Sequence, residues 1–199
     1  LGRLAVRALH REVTLAGKPG LVGPEGGGAH ADMTLATFYR SLFSLRGYFP
    51  AMVALGAADA GLPRLRACGR AAEASMLRAT GGVNTHRGAI FHLGLLCAAG
   101  GVLLARDGRV DARAACAHVR LAHGRVLRAE TRAAMGTTHG AAVARTFGVG
   151  GARAEAASGY WSVRRYALPA LRAAYAATGD RERAALHALW ALIAQVDDS

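Results

Sequence analysis

Strand-forming residues are scarce in this chain. Valine and isoleucine together number 15 of 199 residues and aromatics make up 6%, whereas alanine alone accounts for 46. Sheets are built from β-branched and aromatic side chains, and alanine has the highest helix propensity, so the composition excludes a sheet protein and predicts an all-α fold. Acidic residues are few as well, 13 against 25 basic ones, and Lys18 is the only lysine among those 25. The resulting net charge of +12 favours an anionic partner such as a polyphosphate nucleotide, a coenzyme or a nucleic acid. An arginine and alanine bias also follows from genomic base composition, so the charge does not choose among these. Cysteine is limited to Cys68, Cys97 and Cys116, with no C-x-x-C and no metal-ligand spacing. That excludes a disulfide framework and predicts buried, reduced thiols in the cytoplasm. The first residues, with Arg3, Arg7 and Arg11 in an amphipathic stretch, do not resemble a cleavable signal. A start at Leu1 rather than methionine leads us to expect that these residues are part of a longer product.

Apolar content is not low. A hydrophobic fraction of 52% and a mean hydropathy of +0.19 exclude a solvated disordered chain, which lacks the apolar surface to offset its ordering entropy. One domain of 1–199 is the expectation from size, built as a compact bundle of roughly eight helices. Leu1, Leu4, Ala8, Leu9 and Val13 fall at helical spacing to about Ala16, and the glycine- and proline-rich run GKPGLVGPEGGGAH at 17–30 follows as a loop. Asp32 or Thr34 is suited to cap a helix reaching about Arg46, Pro50 to open the next, and Pro63–Ala79 a third that stops at Thr80, Gly81 and Gly82. The stretch 88–105 is apolar almost all round and nearly long enough to span a membrane. Its four glycines, His92 and amphipathic neighbours favour a buried central helix. A long helix over Asp111–Met135 is predicted next, then a break at GTTHG (136–140), a short helix to Phe147 and the turn GVGG at 148–151. Two further helical segments follow, one interrupted before Pro169. A last helix is expected from Asp180 to about Val196, with Leu186, Leu189, Ile193 and Val196 on its apolar face.

Chemistry-bearing residues cluster in the glycine-rich loops. In TGGVNTHRGAIF (80–91), which holds the only asparagine, Asn84, Thr85 is a plausible N-cap of the buried helix. Its exposed N–H groups and positive dipole end suit phosphate. Arg87 adds a bidentate phosphate partner. In the first loop Lys18 is suited to a point contact with phosphate, and His30 with Asp32 could share a base or a magnesium ion. Asp32 serves equally as a helix cap and His30 as a backbone-bonded loop histidine. His139 sits in the GTTHG turn near another helix start, or simply faces solvent there. Arg153 and Glu155, two residues apart, face one pocket only if they lie in a loop or first turn; otherwise they form a surface charge pair. G-x-S-x-G, Walker A and H-E-x-x-H motifs are absent, as is G-x-G-x-x-G after a strand. His30, Asp32, His86 and His139 are compatible with a helical metal-dependent nucleotide phosphohydrolase, but the adjacent His-Asp pair of such enzymes is missing. A basic nucleic-acid-binding module should show a basic stripe with interleaved aromatics, whereas these arginines are spread over nearly every helix.

In order, KPGLV (18–22), GAHADM (28–33), TGGVNTHRGAIFHLG (80–94), THG (138–140) and GARAEAASGY (151–160) resemble the triphosphoribosyl-dephospho-CoA synthase family from near the first residue to the last. Arg87 stands where lysine is usual and Ala154 where the family tends to have glycine. The resemblance implies a cytoplasmic helical transferase. It would move the triphosphoribosyl group of ATP onto the 2′-hydroxyl of 3′-dephospho-CoA, with Mg2+, and release adenine. Its product would be passed towards the acyl-carrier subunit of malonate decarboxylase or citrate lyase. It assigns Lys18, Arg87, Arg153, Gly81, Gly82, Asn84 and Thr85 to the phosphates. Asp32 or Glu155 becomes metal ligand or base, and His30, His86 or His139 assists proton transfer. Asp198 and Ser199 resemble the opening of a D-[ST]-N motif that the family continues into an R-G-G turn. Asp198 is therefore a further metal candidate, and a C-terminal segment is expected beyond it. Oligomeric state is open.

Overall fold

The computed structural model describes residues 1–29, 31–134 and 151–195. Among these residues the chain forms nine α-helices, one π-helical turn and no strand, so the expected all-α fold holds. The chain divides into two compact units, Leu1–Cys116 and Ala117–Ser199.

The first unit contains α1 (Gly2–Thr14), α2 (Leu35–Leu45), α3 (Tyr48–Ala57), α4 (Leu62–Thr80) and α5 (Arg87–Asp107). Its core includes Val13, Leu45, Phe49 and Met76, each with no exposed surface. In α1 the buried stripe is Ala5, Leu9 and Val13, whereas Leu4, expected inside, is 57% exposed. The apolar side follows i, i+4, i+8 and leaves Leu4 one position off it. Thr34 caps α2 by accepting the Thr37 N–H at 3.2 Å, which decides between it and Asp32. Pro50 is the third residue of α3, two later than expected. Its missing N–H still falls in the first turn, where it has no intrahelical partner.

The apolar run is a core helix, α5, and its buried side includes Ile90, Leu95 and 97–101. It is long and apolar enough to cross a membrane, and half of its apolar window is buried inside the protein. Glycines let it approach α3 backbone to backbone. A Cβ on Gly101 would collide with Val53 O, and one on Gly56 with Ala98 O. Tyr48 Oη, donating to Ile90 O at 2.9 Å, ties the same two helices.

The loop at 17–29 is tightly folded on itself. Gly23 and Gly26 exchange backbone hydrogen bonds at 3.0 and 3.1 Å, Ala29 N–H donates to Gly20 O, and the Glu25 carboxylate accepts the Gly17 N–H. Gly28, at φ +60, packs so closely on Gly20 that a side chain would have no room.

α6 (Ala112–Ala134) starts where expected, with the Asp111 carboxylate accepting the Ala114 N–H at 2.9 Å. The division into units falls within it. The second unit continues with α7 (Gly151–Ser158), a π turn at Val163–Ala167, α8 (Leu168–Thr178) and α9 (Arg181–Ile193). The interruption expected before Pro169 is this π turn. The proline ring would clash with the carbonyl four residues back, and Leu168 N–H instead reaches Val163 O, five back. Asp180 caps α9 by accepting the N–H groups of Glu182 and Arg183. The buried positions there are Ala184 and Ala188, while Ile193 is 54% exposed, so the expected leucine–isoleucine face is not the packed one. The expected break at 136–140 and short helix to Phe147 lie outside the described residues.

Candidate functional site

The start of α5 gathers most of the residues singled out in the first unit. Helix α4 ends on Thr80, whose hydroxyl donates to the chain across the turn, 2.6 Å from Val83 O. Gly81 (φ +69) and Gly82 (φ +93) take left-handed conformations that favour glycine. Their N–H groups are not free to hold a phosphate. Both donate to Leu77 O and close the C-terminus of α4. That corrects the expectation that this backbone cradles an anion. The donors move a few residues on: the first-turn N–H groups of Gly88 and Ala89 have no intrahelical acceptor, and Gly88 is exposed.

Asn84, not Thr85, tends the helix start. Its side-chain Oδ1 accepts the Arg87 N–H at 3.2 Å, whereas the Thr85 hydroxyl is buried without a hydrogen-bond partner. Arg87 is the first residue of α5, and its guanidinium meets the Glu73 carboxylate of α4 at 2.5 Å. His86 turns inward. It is 4% exposed, with Nδ1 2.7 Å from Ser41 Oγ on α2 and its ring edge-on to Phe38. Nε2 has no partner. Burial pushes its pKa down to about 4, so the imidazole is neutral near pH 7. A buried, neutral imidazole bonded to Ser41 ties the start of α5 to α2.

The other candidates are dispersed. Lys18 is buried, with Nζ 2.5 Å from Glu12 O and 2.6 Å from Glu12 Oε1. It anchors the loop to the end of α1 and presents no ammonium to a ligand. Asp32 is exposed. In the second unit Arg153 and Glu155 lie on α7 and diverge, as residues two apart on a helix must. Arg153 Nε is 3.8 Å from the Glu130 carboxylate on α6, while Glu155 Oε1 accepts the Ser162 N–H and hydroxyl at 3.2 and 2.7 Å. They do not share a pocket. His30, His139 and Asp198 lie outside the described residues.

The three expected phosphate cations thus each meet a carboxylate: Lys18 with Glu12, Arg87 with Glu73, Arg153 with Glu130. Exposure separates them. The Lys18 side chain is 2% exposed, whereas those of Arg87 and Arg153 are 58% and 53% exposed and can exchange a glutamate for a phosphate at little cost. Glu73 and Ser41 are the residues that sequence reasoning missed. Glu73 lies fourteen residues from Arg87 and Ser41 forty-five from His86, separations at which no local pattern pairs them. Among the described residues, no three His, Cys, Asp or Glu side chains come together as a metal site. No disulfide joins the three cysteines, and burial raises the pKa of Cys97 to about 11, which keeps it protonated and unreactive.

Comparison with known proteins places these features in a family. The model of the ATP:dephospho-CoA triphosphoribosyl transferase family matches residues 1–199. A Pectobacterium carotovorum protein named probable 2-(5''-triphosphoribosyl)-3'-dephosphocoenzyme-A synthase is 42% identical over 199 residues, covering 96% of this chain and 66% of that protein. A Klebsiella pneumoniae protein named 2-(5''-triphosphoribosyl)-3'-dephosphocoenzyme-A synthase is 42% identical over 205 residues, covering 97% of the chain and 67% of that protein. A probable synthase of the same name from Acinetobacter calcoaceticus is 39% identical over 199 residues, covering all of the chain and 68% of its own length. The chain thus spans about two thirds of the length of these relatives. No solved structure matches it. With the match running from the first residue to the last through the turn that joins α4 to α5, the chain belongs to the ATP:dephospho-CoA triphosphoribosyl transferase family.

Proposed function

We propose that this protein transfers the triphosphoribosyl group of ATP to the ribose 2′-hydroxyl of 3′-dephospho-CoA and releases adenine. The observation that carries this is the family match over the whole chain, supported by the names of relatives about 40% identical to it. In the reaction the bond between ribose C1′ and adenine N9 breaks, the acceptor oxygen bonds C1′, and its proton leaves, to be balanced by protonation of adenine. Positive charge builds on the ribose as the base departs, so catalysis is largely a matter of holding the triphosphate and the hydroxyl in line.

Arg87 is the residue of this chain best suited to the triphosphate. It stands at the N-terminus of a 21-residue helix, where the dipole and the Gly88 and Ala89 N–H groups add to its charge. Asn84 orients the backbone there through its bond to the Arg87 N–H. Glu73 occupies the guanidinium until an anion displaces it. Magnesium enters as the counterion that ATP carries, and no step is assigned to it. Release into the pathway of malonate decarboxylase or citrate lyase, onto an acyl-carrier subunit, and a cytoplasmic location belong to the same reading.

The test is chromatography of ATP incubations with and without 3′-dephospho-CoA, using the full-length protein. Adenine and a mass-resolved adduct should appear only with both substrates present. ADP and phosphate without adenine would instead indicate a phosphohydrolase.

A further inference from the structure

The outward face of α2 carries a feature outside this assignment. Tyr39, Phe43 and Arg46 follow one another at i, i+4 and i+7, so they share one side of the helix. Phe43 is 67% exposed and Tyr39 41%. The Arg46 guanidinium carbon lies 3.9 Å from the centre of the Phe43 ring, and the Tyr39 ring stacks on His10 of α1 at 5.8 Å. Together with Arg40, Ser44 and Ala79, these two aromatics line an open depression of about 510 Å³. Single exposed aromatics are ordinary on protein surfaces. Two converging on one hollow, in a chain with 6% aromatics, are not. The helix itself carries no negative charge, since no acidic residue occurs between Met33 and Ala58.

We propose that this face is a stacking platform for the adenine ring of a phosphorylated nucleoside. A flat π-system lies against Phe43 and Tyr39, while Arg40 and Arg46 supply stacking guanidinium planes and positive charge for the attached phosphates. Ala79, in the last turn of α4, forms one wall of the hollow. A base on α2 leaves its phosphates within reach of the arginines of that helix, Arg40 and Arg46. This deepens the proposed transferase reading and rests on it for the phosphate end, and ATP and 3′-dephospho-CoA both carry the adenine it requires.

Calorimetric titrations of the full chain with ATP, 3′-dephospho-CoA and inorganic tripolyphosphate test it. Stacking on an aromatic contributes enough that Phe43→Ala should raise the Kd of an adenine nucleotide roughly 5- to 150-fold. Tripolyphosphate, which has no base, should bind Phe43→Ala as it binds the parent, and Phe43→Trp should restore nucleotide affinity. Whichever nucleotide is weakened names the source of the adenine. The proposal is overturned if Phe43→Ala leaves both nucleotides unaffected, if tripolyphosphate weakens equally, or if the parent chain binds neither nucleotide. Because Phe43 is mostly exposed, its removal opens no cavity, and an unchanged thermal midpoint confirms that the fold is intact. Failure of the transferase reading looks different: adenine is not released from ATP in the presence of 3′-dephospho-CoA, whatever the binding data show.

Discussion

Replacing Arg87 by alanine separates a phosphate contact from a structural one, because the structure makes the two costs unequal. The guanidinium is 58% exposed and its only described acceptor partner, Glu73, is 29% exposed. A solvent-exposed ion pair of this kind contributes about 0.2–1 kcal/mol. For a chain of this size about 1 kcal/mol shifts the thermal midpoint by roughly 2–4 °C, so Arg87→Ala should lower it by no more than about 4 °C. A charge-assisted hydrogen bond to phosphate is worth about 1.5–3 kcal/mol, which corresponds to a rise in the Kd for ATP of roughly 10- to 150-fold. Arg87→Lys keeps the charge but loses the two-pronged geometry, and should fall between the parent and the alanine variant. Glu73→Gln removes the competing carboxylate and should leave ATP binding unchanged or a few-fold tighter. Thermal melts and calorimetric titrations on the same samples give both numbers. A midpoint loss of more than about 8 °C with unchanged ATP affinity would refute the reasoning and show that the Arg87–Glu73 pair is a structural tie between α4 and α5.

Gly101→Ala should be severely destabilising, by about 3 kcal/mol or more in urea unfolding, because the added methyl would collide with Val53 O at the α3–α5 contact and neither backbone can yield cheaply. Ser41→Ala leaves a buried imidazole nitrogen without its partner and should cost about 1–3 kcal/mol, read in the same assay. The His86 imidazole titrates near 4 when folded and near 6.5 when unfolded, so only the unfolded state takes up a proton between those values. Its contribution is therefore fully favourable above about pH 6.5 and lost as the pH falls towards 4, by up to about 3 kcal/mol in total. Urea midpoints at several pH values in that window, for the parent and for His86→Gln, should diverge with pH, and a constant difference would contradict the assignment.

The features legible in the sequence are those whose cause is local. Thr34, Asp111 and Asp180 bond N–H groups two or three residues away, so a capping rule finds their helix starts without knowledge of the rest of the fold. The stretch around 88–105 declares itself core because no polar face interrupts it, and GARAEAAS is helical because alanine dominates it. Features set by a distant neighbour were not legible. Leu4 outranks Ala5 in hydrophobicity, yet Ala5 is the residue inside and Leu4 the one outside. Gly56 and Gly101 look like helix-weakening residues until the facing backbone is known, and then they are the reason α3 and α5 can approach. The same distinction decides the site. Lys18, Arg87 and Arg153 were grouped by charge and by their glycine-rich surroundings, which are sequence properties. What each cation can do depends on its carboxylate partner and on how much water reaches the pair. The Lys18 ammonium is itself buried beside Glu12, so removing it leaves a loop unanchored. Glu73 and Glu130 sit on open contacts, and a triphosphate that offers more charge than one carboxylate can take their place. The cation most distinctive in the sequence, the lone lysine, is thus the least exposed of the three, and the proposed phosphate contact rests instead on an ordinary arginine at the start of a buried helix.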